Sequence, residues 1–144
     1  MESRYKFLPH TADMKFQAFG NTIEKCFENA AYAVVNIVCK DSVKGIIKKE
    51  IKASGKDLEE LLYNFLEEFL FLIDSNNFII SKFKKIKIYR KNEHYVLTAS
   101  VLGDNLKNYN MQTGIKAITY NEMWVASPSK DGGKKFVCQV VVDV

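Results

Sequence analysis

The chain has 144 residues, 47% of them hydrophobic. That length suits one domain over residues 1–144 built on one core, and the apolar share excludes a disordered polymer. The formal charge of +4 is too small a surplus to identify a nucleic-acid binder by itself.

Tyr5 to Leu8 reads as a first strand stopped by Pro9. A polar turn follows, His10-Thr11-Ala12-Asp13. Met14 to Phe19 then alternates, with Met14, Phe16 and Ala18 on one side and Lys15 and Gln17 on the other. Gly20 ends that strand. Asn21 is placed to cap a helix, with Glu24 completing a capping-box-like pair. Ile23, Phe27, Ala30, Ala31, Val34 and Val38 recur at helical spacing behind it. Gly45 to Ser54 has the pattern of a strand.

The second helix is the plainest element. Asp57 caps it, Glu60 is the reciprocal partner, and Leu58, Leu61, Leu62, Phe65, Leu66, Phe69, Leu72 and Ile73 form one broad apolar stripe. A stripe of that width is expected to cover a sheet. Asp74-Ser75-Asn76-Asn77 supplies the stop. The greasiest run, Leu61 to Ile80, is interrupted by Glu67, Glu68 and Asp74, so no segment is expected to span a membrane. No apolar signal core follows the first six residues, and the expected location is the cytoplasm.

Phe78 to Tyr89 and Tyr95 to Leu102 read as strands, separated by a turn that includes His94. Gly103 to Gly114 reads as a loop. Ile115 to Val125 and Phe136 to Asp143 flank Ser129-Lys130-Asp131-Gly132-Gly133, a hairpin signal. The expected class is α+β: a mostly antiparallel sheet packed with two long helices. Lysines gather in two runs, Lys44 to Lys56 and Lys82 to Lys91. These read as solvated faces and edges of strands, where lysine also blocks aggregation; contact with RNA phosphates or an acidic protein is the other reading.

Three cysteines without a C-x-x-C spacing support neither a disulfide scaffold nor a zinc site, and Cys26 and Cys138 read as small buried hydrophobes. No phosphate-binding glycine loop, H-E-x-x-H or G-x-S-x-G is present. Two features stand out. One is the His10–Asp13 turn. The other is the end of the sequence, where an apolar strand finishes Asp143-Val144, so that the Val144 α-carboxylate adds an anion beside the Asp143 side chain. If Asp13 lies near that end, three carboxylates converge into hard-oxygen ligation suited to Ca²⁺ or Mg²⁺. The alternative is an Asx-turn at Asp13 and a merely solvated terminal aspartate.

Hairpin arithmetic places Lys116. If Asp131 and Gly132 form a two-residue turn, Asp143 falls opposite Tyr120, and Tyr120, Ile118 and Lys116 share its face. Val144 would then lie roughly 7 Å from Lys116. Lys116 could balance an acidic cluster or touch a phosphate; it also reads as an ordinary strand lysine facing solvent.

Phe7-Leu8-Pro9-His10-Thr11-Ala12-Asp13 resembles the N-terminal signature of archeases, in which a strand runs into H-T-A-D. Phe27-Glu28-Asn29-Ala30-Ala31 and Asp57-Leu58-Glu59-Glu60-Leu61-Leu62 look like that family's two helices. Gly114-Ile115-Lys116-Ala117-Ile118-Thr119-Tyr120 is similar to its V-K-A-x-T-Y strand, and Val142-Asp143-Val144 to its D-I ending. Two departures are visible. Asn121 stands where the family strand commonly has histidine, and Tyr109-Asn110 where many relatives carry an arginine-histidine pair.

The resemblance implies a non-catalytic helper of RtcB-type RNA ligases, enzymes that join RNA ends in tRNA splicing after attaching GMP from GTP to their own histidine. It implies a divalent cation, most often calcium with Mg²⁺ or Mn²⁺ as alternatives, at Asp13, Asp143 and Val144. It implies a role in activation for Lys116, with His10 and Tyr120 as supporting neighbours. Two other functions fit the bare sequence. One is a metal-dependent phosphohydrolase using His10 and Lys116; the other is an RNA- or protein-binding chaperone using the lysine clusters.

Overall fold

The computed structural model describes residues 4–9, 12–128 and 133–144. Two helices and seven strands follow in the order β1 (Tyr5–Leu8), β2 (Met14–Gly20), α1 (Ile23–Val38), β3 (Ile47–Gly55), α2 (Leu58–Asn76), β4 (Phe78–Lys91), β5 (His94–Asn105), β6 (Ala117–Ala126) and β7 (Phe136–Asp143). The α+β class is as expected, but the strands form two sheets rather than one. One has the order β1-β2-β7-β6 and the other β3-β5-β4, and every pairing is antiparallel.

Each helix grows out of a strand through the same local device. Gly20 ends β2 and Gly55 ends β3, and two residues later a cap opens the helix. Asp57 accepts from the Glu60 amide at 2.8 Å, while Glu60 accepts from the Lys56 amide at 3.0 Å. At α1 the cap is Thr22, one residue beyond the expected Asn21, because Thr22 holds the extended backbone (φ −125°, ψ 160°) and its hydroxyl receives the Lys25 amide at 3.0 Å. Both glycines are dictated by close approach. A Cβ on Gly20 would lie 2.3 Å from the Cys26 nitrogen, and one on Gly55 would lie 2.4 Å from the Leu61 nitrogen. Replacing Asp57 by alanine leaves the Glu60 amide unsatisfied and is expected to cost about 1 kcal/mol, read from a urea midpoint.

Asn77 closes α2 in the left-handed region (φ 50°), as the turn chemistry there foreshadows. The segment expected to be a loop from Gly103 is in part strand. β5 continues to Asn105, and a short 3₁₀ turn occupies Leu106–Asn108. The turn centred on residues 129–132 lies outside the described residues.

The core lies between the sheets. α1 packs on β2 and β7 of one sheet and β4 of the other, and α2 packs on β6 and on β3, β4 and β5. Phe65 of α2 is its hub, stacked on Phe27 of α1 at 6.1 Å and edge-on to Phe69 at 5.1 Å, with Phe83 of β4 at 6.2 Å. Cys26 and Cys138 are fully buried, as their apolar settings required. No described helix is long and apolar enough to cross a membrane.

Candidate functional site

β7 is an interior strand, flanked by β2 and β6. Its C-terminal end therefore meets the beginnings of both neighbours. Met14 pairs with Val142, so Asp13 and Asp143 are the next residues along the two strands. On the other side Ala117 pairs with Asp143, and the Lys116 amide donates to the Asp143 carbonyl at 2.7 Å. Asp13, Asp143, Val144 and the Lys116 backbone are thus gathered at one end of one sheet.

Alternation explains why the two aspartates face away from the core. Val140 and Val142 point inward and are fully buried, as is Phe16 across from Val140. Met14 and Val144 are half-buried and pack against that core. Asp13 and Asp143 fall between these apolar anchors, half-buried and directed to the outer side. Two hydrophobic side chains thereby pin the segments that carry the carboxylates.

The expected register holds only near the hairpin. Val125 pairs with Cys138 and Trp124 with Gln139, which is the register of the two-residue-turn arithmetic. Thr119, however, pairs with Val141, so residues 120–123 of β6 stand against Val140 alone. Glu122 in that bulge takes φ 54°. Its carbonyl receives Gln139 Nε2 at 2.8 Å. Three extra residues, an odd number, exchange the faces beyond the bulge. Asp143 consequently opposes Ala117 instead of Tyr120, and Lys116 belongs to the alternate position.

Tyr120 is engaged elsewhere, stacked on Tyr63 of α2 with ring centroids 4.1 Å apart and planes 7° from parallel. His10 lies outside the described residues. A cation that the sequence reading missed is Lys15. It pairs with Val141, shares the outer side with Asp13 and Asp143, and reaches Glu122 at 3.3 Å. The signal was available, because stepping by two from Asp13 along β2 arrives at Lys15.

The donor set suits a hard divalent cation in kind. It comprises the two carboxylate side chains of Asp13 and Asp143, with backbone carbonyls beside them. Among the described residues no group of three His, Cys, Asp or Glu side chains could hold a metal.

The model of the archease protein family matches residues 5–144. A protein archease from Methanosarcina barkeri is 40% identical over 144 residues, covering 98% of this chain and 96% of that one. Another from Pyrococcus furiosus is 34% identical, covering 98% and 99%. The solution structure of Methanobacterium thermoautotrophicum protein 1598 superposes with a TM-score of 0.81 at 28% identity, over 98% of this chain and 99% of that one. The H-T-A-D segment, the K-A-x-T-Y segment and Asp143-Val144 are thus set in a matching sequence and a matching fold, and this chain belongs to the archease family.

Proposed function

We propose that the protein is a non-catalytic accessory factor of an RtcB-type RNA ligase, promoting the ligase's guanylylation and turnover in tRNA splicing. At this end of the sheet it would meet GTP and tRNA through the ligase. The observation that carries this reading is the strand order β1-β2-β7-β6, which brings the start of β2 and the end of β7 side by side.

Asp13, Asp143 and Val144 would hold the divalent cation, with calcium fitting an all-oxygen, adaptable shell best. A bound cation supplies there a positive centre for nucleotide phosphate oxygens or for the ligase's own acidic groups. The chain's residues do the rest. Met14 and Val144 anchor the carboxylate-bearing segments on the core. The Lys116 amide ties β6 to the Asp143 carbonyl. The exposed Lys116 side chain is left for a partner's phosphate or carboxylate.

The test is ligase guanylylation by GTP in the presence of folded Asp13→Ala, Asp143→Ala or Lys116→Ala protein. Loss of even an outer-shell partner of a metal ligand costs roughly 10–100-fold. Removing a carboxylate ligand is therefore expected to cut the stimulation by at least ~10-fold. Full stimulation by all three variants overturns the reading.

A further inference from the structure

The outer face of the three-stranded sheet holds the basic surplus of the molecule. On the middle strand β5, Leu97, Ala99 and Val101 point into the core. Thr98, Ser100 and Leu102 therefore run down the opposite face. Their partners follow from the register. Leu102 lies between Lys48 of β3 and Lys82 of β4, and Thr98 lies between Lys52 and Lys87. Between those rows Ser100 is flanked by Glu50 and Lys85. The irregularity after Phe83 adds Lys84, which with Lys48, Lys85 and Ser100 lines a cleft of about 190 Å³.

Two rails of lysine thus run along the sheet, about 10 Å apart across the central strand, with side chains recurring about every 7 Å. All six lysines are exposed. Glu50 is the one acid in these rows, and it is engaged by the Ser100 hydroxyl at 2.7 Å and by Lys48 at 3.4 Å. Six lysines and one glutamate give these rows a net charge of five, against +4 for the whole chain. The remainder of the molecule is close to neutral.

β3 and β4 are edge strands, and lysine on an edge discourages strand addition. Edge protection and solubility are both served by mixed charge, however, and like charges on neighbouring strands repel. A face carrying six cations and one acid is arranged for an anion.

The chemistry of the strip between the rails selects the anion. Protein–protein interfaces are depleted in lysine and built on apolar and aromatic cores. Nucleic-acid interfaces are polar and strongly positive. Here the middle of the face is serine, threonine and a half-buried leucine. Its one aromatic, Tyr89, carries the Lys87 ammonium 5.4 Å from its ring centre, so it is no bare platform for base stacking. We propose that this face binds the phosphate backbone of a polynucleotide, without base readout. The proposal is independent of the ligase reading and uses the other sheet.

The experiment titrates the full chain against a fluorescein-labelled 20-nucleotide RNA, and DNA of the same sequence, following anisotropy across a salt series. Binding that weakens steeply with salt is expected. The triple variant Lys52→Ala/Lys85→Ala/Lys87→Ala should bind at least ~10-fold more weakly at low salt, with the slope of log affinity on log salt reduced by about 2. A control with equal charge loss on other exposed sites, Lys40→Ala/Lys56→Ala/Lys107→Ala, should stay within about twofold because distant charges are screened. Glu50→Gln should bind roughly threefold tighter, a gain that misfolding cannot produce. Absence of binding, equal loss in the control triple, or polyglutamate bound as tightly as RNA through the same lysines overturns the proposal.

Discussion

Calcium at about a hundred times its dissociation constant is expected to stabilise the wild-type protein by about 2.7 kcal/mol, and Asp143→Asn to abolish most of that gain. For a domain of this size the shift corresponds to roughly 5–10 °C in Tm, within reach of calorimetry. The expectation rests on linkage. A cation held between the start of β2 and the end of β7 binds only when those strands are paired. Asp13→Asn should behave alike. In chelator both variants should match or slightly exceed wild type, because neighbouring carboxylates without a cation repel. Lys52→Ala, on the other sheet, should keep the full calcium response. An equal rise in wild type and in both asparagine variants would remove the cation from this end of the sheet, whatever the ligase assay reports.

The largest effect on folding is expected at Phe65. Its ring is fully buried and touches Phe27, Phe69 and Phe83, so it joins both helices to β4. Phe65→Ala removes that burial and opens a cavity which three fixed aromatic rings cannot refill. The expected loss is about 3–5 kcal/mol, measured by chemical denaturation. Stabilities of small domains are about 5–15 kcal/mol, so this one substitution threatens the fold. Phe65→Leu should cost much less, because most of the volume is kept. A loss under about 1 kcal/mol for the alanine variant would mean that the aromatic cluster is not the joint between the layers.

Much of the architecture is written in short-range signals. The α2 stripe from Leu58 to Ile73, its Asp57 cap and its asparagine stop all lie within a few residues of the features they control, and the helix spans Leu58–Asn76 accordingly. β7 occupies Phe136–Asp143, as its apolar run indicates. Where two neighbouring residues can serve one purpose, local chemistry is not enough. Asn21 and Thr22 can both cap, and the backbone path out of Gly20 chose Thr22.

Pairing is a different matter, since nothing in a strand names its partner. That the seven strands divide into two sheets follows from how α1 and α2 cover them, which no window of sequence contains. The candidate site shares this division. Its residue types, and the expectation that Asp13 lies near Asp143 and Val144, rest on the H-T-A-D and Asp143-Val144 segments. Their proximity is a consequence of β2 pairing with β7 across nearly the whole chain. The face of Lys116 was beyond reach, because the bulge at residues 120–123 carries no glycine or proline to announce it, and three extra residues reverse the alternation. The lysine runs, likewise, were plain as composition. Only the registers of β3 and β4 on β5 bring them to one face, because a strand fixes the alternation of its own side chains while its position beside another strand is settled by the packing of the whole.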